Sequence, residues 1–326
     1  MTRGRSWWRP VAGAVLVAAA AVFLGLTVAR NWHELSAFDW RLRWLQLAAS
    51  VVALTAVLAW GVVVWKRVLD RFEHPPVGLD VLLRIWFASN LARYIPGKIW
   101  QLVGAAELAR GAGLSRVVVL SSMMVHVGLS LLSAAAVSAV AMAAWDAVPL
   151  PTLPLALLAA GSVFLVHPRV IDAGLRLVPR VFHDDLLRWN GRWTDGLVLL
   201  ALSVVSWILY GLAFVLFLDA IAPVQAGAIL PLTGINALSF LAGYVAFLVP
   251  AGLGVREGVM AGLLRPLAPA GVAAVIAMVS RLWTIAAELL GAALVLGLTR
   301  APERGGGSAG GDERPTAGPP GPVTRS

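Results

Sequence analysis

Cysteine is absent from the 326 residues of this chain. That absence excludes a disulfide framework, a thiolate metal site and a cysteine nucleophile. Histidine is also scarce: the five histidines are scattered and form no HExxH or comparable cluster, so we expect neither a metal nor a cofactor. No GxxxxGK[ST] stretch occurs, which predicts that the chain does not itself use ATP.

Charged residues are few, at 13% of the chain, whereas hydrophobic residues make up 59% and the mean hydropathy is +0.82. This composition is typical of a polytopic membrane protein. Crossing a bilayer as a helix takes about 20 apolar residues. We therefore predict an all-α membrane helical bundle of about seven or eight spans, the apolar runs being 11–29, 44–65, 117–144, 149–167, 196–218, 227–249 and 270–298.

The charge that is present is mostly positive, with a formal net charge of +9. The cations gather at span ends and in loops, so we expect anionic lipid headgroups, and not nucleic acid, as the counter-charge. Loops rich in cations face the cytoplasm, which predicts a cytoplasmic N-terminus in the cell membrane. The cations used for this orientation are Arg3, Arg5, Arg9, Lys66, Arg67, Arg71, Arg84, Arg169, Arg176, Arg180, Arg188 and Arg192.

Residues 1–300 are predicted to form one transmembrane domain. The run at 11–29 is longer than the apolar part of a signal peptide, which favours a retained first span. The connection from 168 to 192 alternates cations with apolar residues and is expected to lie along the cytoplasmic interface, the alternative being a solvated linker. Residues 301–326 are rich in Gly, Pro and charge, so we predict a disordered tail.

A first broken segment occupies about 78–113 and contains "ARYIPGKIWQ". It carries too many polar residues to cross the bilayer as one lipid-facing helix. Pro96 disfavours helix at Ile95 and Gly97 eases a turn, so we predict two half-length helices that meet at this break. Such breaks are tolerated at membrane depth only where they face protein or a water-filled cavity. A simple cytoplasmic loop is the alternative.

A second broken segment, about 245–269, contains "VPAGLGVREG", with Pro250, Gly252 and Gly254 as its helix-breaking residues. After each break comes a half-helix and then a full span. Those spans carry His126, thirty residues after Pro96, and Arg281, thirty-one residues after Pro250. Broken helices in corresponding halves are typical of transporters and mark the substrate site, so we predict an internal repeat; a chance likeness is the alternative.

Arg281 is deep in its predicted span, where a cation must be paired or hydrated. Glu288 lies two turns along the same face, and Glu257 is a second potential partner if the broken segment folds back. The alternative to a substrate site is a structural ion pair that locks helices together. For His126 we expect a plain structural role, with the ring donating to a nearby carbonyl.

Together, "YIPGKIWQ" and "VPAGLGVREG" resemble signatures of the lysylphosphatidylglycerol synthase transmembrane-region family of flippase-like proteins. The second string carries the family's Pro-Gly-x-Gly-x-x-Glu pattern, with Ala251 where glycine is common. In the first, Trp100 and Gln101 stand where many members have glycine and glutamate. The resemblance covers about 44–298. It implies transfer of an aminoacylated phospholipid or a polyprenol-bound sugar across the membrane, here without a synthase domain.

We therefore expect a lipid translocator, not an enzyme, whose partners are an anionic or polyprenyl-phosphate lipid and a separate lipid-modifying enzyme or glycosyltransferase. A membrane enzyme or accessory subunit acting on lipid-linked sugars, and a non-transporting partner-binding subunit, are the alternatives. The residues expected to bind the headgroup are Arg93, Tyr94, Lys98, Trp100, Gln101, Arg256, Glu257, Arg281 and Glu288, with hinges at Pro96, Gly97, Pro250, Gly252 and Gly254.

Overall fold

The computed structural model describes residues 22, 25–26, 29–90, 99–145, 147, 152–176, 189–246 and 254–297. In these ranges the chain is helical, without strands. We number the helices α1 (Trp32–Ala37), α2 (Trp44–Leu69), α3 (Leu79–Asn90), α4 (Ile99–Arg110), α5 (Arg116–Ala143), α6 (Thr152–Leu165), α7 (Pro168–Leu175), α8 (Trp193–Asp219), α9 (Ile229–Val245), α10 (Val255–Leu264) and α11 (Ala270–Gly297).

Four of the described helices, α2, α5, α8 and α11, are long and apolar enough to cross a membrane. Most of their buried hydroxyl groups do not oppose burial, because they donate to carbonyls of their own helix. Ser133 donates to Leu129 and Ser203 donates to Leu199, at 2.7 and 2.8 Å. These hydroxyls are thus satisfied within their own helix, as an apolar surrounding requires, whereas Oγ of the buried Ser121 in α5 has no hydrogen-bond partner among the described residues.

Helices α2 and α8 are antiparallel, as two ion pairs at their opposite ends show. Arg43, just before α2, pairs with Asp219 at the end of α8 (3.0 Å). Arg71, just after α2, pairs with Asp195 at the start of α8 (3.0 Å). These pairs define two ends of the bundle, which we call the Arg43 end and the Arg71 end.

The directions of α5 and α11 follow from their contacts with α2. Trp283 of α11 donates to Ser50 (3.0 Å), and Thr55 donates to the carbonyl of Ala287 (3.1 Å), so α11 runs parallel to α2. In contrast, Trp65 near the end of α2 donates to Ser122 near the start of α5 (3.1 Å). Helix α5 therefore begins at the Arg71 end and runs opposite to α2.

Two hairpins follow from these directions. Helix α2 ends and α5 begins at the Arg71 end, so α3 and α4 between them enter the bundle and return; we call this pair the first hairpin. Helix α8 ends and α11 begins at the Arg43 end, so α9 and α10 do the same from the opposite side; this is the second hairpin. The unit α2–α3–α4–α5 thus recurs as α8–α9–α10–α11 with inverted direction, which is the repeat predicted from the two breaks.

Each hairpin packs into its own hydrophobic core. One cluster joins the first hairpin, through Leu82, Ile85 and Ala105, to residues at the end of α2 and the first half of α5. The other joins the second hairpin, through Ile235 and Met260, to the ends of α5 and α8 and the first half of α11. The two hairpins therefore pack into separate cores toward opposite ends of the bundle.

Some predicted spans differ in extent from the helices. The run at 227–249 gives α9, of 17 residues, and the chain then turns back because α11 must start at the Arg43 end. The run at 149–167 gives the 14-residue α6. Within the 168–192 connection, α7 is a short helix with Leu175 buried. Most of 11–29 and all of 301–326 lie outside the described residues.

Outside the spans, the loop between α4 and α5 is stabilised by an ion pair between Glu107 and Arg116. The hydrogen bond that Arg116 donates lowers the pKa of the Glu107 carboxyl below its usual value. Glu107 therefore keeps its charge as the pH falls toward its usual pKa, and the contribution of the pair is lost only at still lower pH. Because both side chains are about half exposed, that contribution is small.

The start of α11 depends on a residue far away in sequence. Glu34 of α1 accepts a hydrogen bond from the backbone N–H of Gly271 at 2.7 Å, and an anion is favourable at a helix N-terminus. We predict that Glu34→Ala lowers the free energy of unfolding by about 1 kcal/mol. Thermal unfolding in detergent measures it, with the exposed Asp39→Ala as the matched control; equal stability of the two variants would contradict a capping role.

Candidate functional site

The second hairpin turns at a glycine that opens α10. Gly254 has φ 84°, a left-handed conformation that residues with a Cβ rarely adopt. Its backbone N–H donates to Oε2 of Glu257 at 2.7 Å, so this carboxylate caps the helix that carries it. The string "GVREG" thus fixes the position of Glu257 at the inner end of the hairpin. Pro250 and Gly252, the other predicted hinges, lie outside the described residues.

Arg281 meets this carboxylate from α11. Its Nη1 lies 3.7 Å from Oε1 of Glu257, and both side chains are largely shielded from solvent, at 18% and 11% exposure. The distance exceeds that of a good charge-assisted hydrogen bond. Oε1 has no hydrogen-bond partner in the described part of the chain. The two charges attract each other, yet the carboxylate keeps one oxygen available.

Arg256, beside Glu257, is more deeply buried, at 7% exposure. Its side chain packs against Gly243 of α9, where an added Cβ would approach the Cβ of Arg256 to 2.8 Å. Within the described residues its Nη2 has no hydrogen-bond partner. A buried guanidinium with an unused donor costs stability, so such a group is expected where a ligand supplies the acceptor.

Helix α11 contacts both hairpins, and its charged residues Arg281 and Glu288 lie on one face. Glu288 lies seven residues after Arg281, which is two turns along the same face, and is 1% exposed. One turn further, Gly291 packs against the ring of Phe87 in the first hairpin. Arg281 therefore faces the second hairpin, whereas Glu288 lies about one turn from Gly291, which packs against Phe87 of the first hairpin.

The first hairpin is closed by an amide pair below its break. Gln101 of α4 donates to the side-chain oxygen of Asn90, the last residue of α3, and Trp100 is adjacent to it. Gln101 thus joins the two half-helices. The predicted residues of the break itself, Arg93, Tyr94, Pro96, Gly97 and Lys98, lie outside the described residues.

His126 differs from the expectation made for it. Its ring packs edge-on against Trp86 of the first hairpin, with centroids 5.4 Å apart. Nδ1 is buried and bonds to no carbonyl in the described structure. The predicted carbonyl contact is therefore wrong for this nitrogen; the ring contacts an aromatic side chain instead.

Two polar features escaped the sequence analysis. Asn236 of α9 is 1% exposed, and neither atom of its side-chain amide has a hydrogen-bond partner among the described residues. The hydroxyls of Tyr210 and Thr284 lie 3.4 Å apart between α8 and α11. Asn236 is the single amide in the apolar run "ILPLTGINALSFLAGYV", and that isolation was the available signal.

The outer surface offers an apolar groove between α2 and α8 with a volume of about 360 Å³. It is lined by Ala53, Ala56, Val57, Leu209, Leu212, Ala213 and Leu216 and contains none of the predicted site residues. Arg256, Glu257 and Arg281 lie instead at the start of α10 and on α11, away from this groove.

An inverted pair of hairpins inside a bundle of long apolar helices defines a multi-pass helical membrane protein with a polar interior. The chain belongs to the family described as the lysylphosphatidylglycerol synthase TM region, whose sequence profile matches residues 10–291. This is the family suggested by the two Pro/Gly-containing strings. Comparison with curated proteins and with solved structures found no match.

Proposed function

We propose that this protein is a lipid translocator, which moves a phospholipid or a polyprenyl-phosphate-linked lipid across the cytoplasmic membrane and catalyses no bond chemistry. The observation that carries the proposal is the buried group formed by Arg256, Glu257 and Arg281 at the inner turn of the second hairpin. Two cations and one acid leave a positive site deep in an apolar bundle. A lipid phosphate is the anion that such a place can receive from the membrane.

In this account the two hairpins re-enter the membrane from opposite faces. The headgroup passes between their turns while the acyl chains stay in lipid. Arg281 and the unused Nη2 of Arg256 bind the phosphate oxygens. Glu257 offsets part of the positive charge, so that binding is weak enough for release. Glu288, on the same face of α11, takes a similar role toward the first hairpin and its cations Arg93 and Lys98.

The Arg71 end is assigned to the cytoplasm in this proposal. Lys66, Arg67 and Arg71 lie there, and by its direction α11 also ends there. The first hairpin then enters from the cytoplasmic face and the second from the outer face. With no ATP-binding stretch in the chain, movement is downhill or coupled to an ion.

The test is transbilayer movement in vesicles. Purified protein is reconstituted in liposomes with a fluorescent phosphatidylglycerol or a fluorescent polyprenyl phosphate, and a membrane-impermeant quencher reports lipid that reaches the outer leaflet. We expect faster movement of at least one of these lipids than in protein-free vesicles. If vesicles with the protein move neither lipid faster than protein-free vesicles do, the proposal is overturned.

A further inference from the structure

Asn236 is anomalous among the polar residues of α9. Thr233 donates to the carbonyl of Ile229 at 2.9 Å, and Ser239 donates to that of Ile235 at 2.6 Å, so both hydroxyls are satisfied within the helix. The amide of Asn236, between them, is as buried as Ser239 but leaves both Nδ2 and Oδ1 without a partner in the described structure. An unsatisfied buried amide costs stability, and retaining one therefore calls for a reason.

Asn236 lies on the face of α9 that packs against Arg256. It lies seven residues before Gly243, hence on the same face of α9 and about 10 Å away along the helix axis. Gly243 packs directly against Arg256. Asn236 therefore lies on the same face of α9 that contacts Arg256 of α10.

The unused groups of Asn236, Arg256 and Glu257 have complementary chemistry. Nη2 of Arg256 can only donate a hydrogen bond, and ionised Oε1 of Glu257 can only accept one. The amide of Asn236 does both. A hydroxyl group also donates and accepts, so an amide with two free atoms is suited to a hydroxyl, whereas the guanidinium is suited to a phosphate oxygen.

We infer that Asn236 selects the headgroup: with Arg256 it forms a site for a phosphate that carries a hydroxyl-bearing substituent, such as glycerol or a sugar. The inference rests on the proposed function and adds the chemical class of the headgroup to it. A spacing of about 10 Å along α9 exceeds the size of a phosphate alone, but a phosphate with a polyol attached, together with the two side chains, spans it.

Selectivity in the vesicle assay tests the inference. Phosphatidylglycerol and phosphatidylmethanol carry the same charge, but only the former has headgroup hydroxyls. We expect the wild type to move phosphatidylglycerol faster, and Asn236→Leu to reduce the ratio of the two rates about tenfold, because the unpaired hydroxyl then has no partner. A glucosylated polyprenyl phosphate compared with the plain polyprenyl phosphate distinguishes a sugar from glycerol as the source of the hydroxyl.

Ser239→Ala is the matched control, since it removes a buried polar group that already has its hydrogen bond. We expect it to leave the ratio unchanged. If Asn236 were only a packing imperfection, Asn236→Leu would raise the thermal stability and preserve the ratio, and that outcome would overturn the inference.

A binding measurement separates this inference from the proposed function. We expect glycerol 1-phosphate to raise the unfolding temperature of the wild type more than methyl phosphate does, and this difference to vanish in Asn236→Leu. If no lipid moves but the difference is present in the wild type and lost in the variant, the translocator proposal fails and the site stands. If lipid moves without headgroup preference, the translocator proposal stands and the role of Asn236 is wrong.

Discussion

Arg281→Gln is expected to reduce lipid movement at least about tenfold, because a charge-assisted hydrogen bond to phosphate contributes about 1.5–3 kcal/mol. The same change leaves the largely buried Glu257 without its cation, and breaking a buried pair in this way costs about 3–5 kcal/mol of stability. Transport in vesicles and thermal unfolding in detergent measure the two effects. Arg265→Gln, which removes an exposed cation at the end of α10, is the matched control and should change neither.

The double variant Arg281→Gln/Glu257→Gln separates transport from folding. Neutralising both partners removes the uncompensated charge, so stability should recover toward that of the wild type. Transport should stay low, because the phosphate still lacks its cation. A purely structural ion pair predicts the opposite: transport would return together with stability. That result would remove the group around Arg281 from the proposed pathway.

Gly291→Leu is expected to destabilise the contact between α11 and the first hairpin. An added Cβ would collide with the ring of Phe87, which is itself buried at 2% exposure and cannot move aside. Overpacking of this kind costs about 1–3 kcal/mol, and here it also displaces the first hairpin from α11. We expect a lower unfolding temperature and reduced lipid movement.

Gly61→Leu is the control for that substitution, because nothing lies within 4 Å of a Cβ added at this position of α2. Leucine is the better helix former by about 0.8 kcal/mol, so the control should be neutral or slightly more stable. Adding Phe87→Ala to Gly291→Leu should restore part of the lost stability, since it vacates the space that the leucine needs. Independent, additive effects of the two changes would contradict a direct contact.

Local patterns in the sequence were enough to predict the long helices and the half-length helices α3, α4 and α10. The runs at 44–65 and 270–298 have the length and composition that fix α2 and α11. Arg281 and Glu257 could be anticipated as neighbours because each is a charge that needs a partner in an apolar surrounding. These inferences need only the composition of each segment and the general rule that burying an unpaired charge is costly.

Directions and unsatisfied groups could not be predicted in the same way. That α11 runs parallel to α2 depends on contacts such as Trp283 with Ser50, which join residues distant in sequence. That α9 and α10 form a hairpin follows from the direction of α11. The sequence does not show this direction, so the apolar run 227–249 was predicted to be a full span. Whether Asn236 is satisfied depends on which helices surround it, so its isolated position gave only a hint.

The directions of the long helices place the two hairpins at opposite ends of the bundle. The absence of cysteine permits a direct measurement: single cysteines at positions 74, 225 and 266, labelled in sealed vesicles with a membrane-impermeant maleimide. His74 precedes the first hairpin, whereas Gln225 and Pro266 flank the second. We predict that 225 and 266 react from the same side and 74 from the other. Labelling of 225 and 266 from opposite sides would mean that the second hairpin crosses the membrane, and would contradict the account.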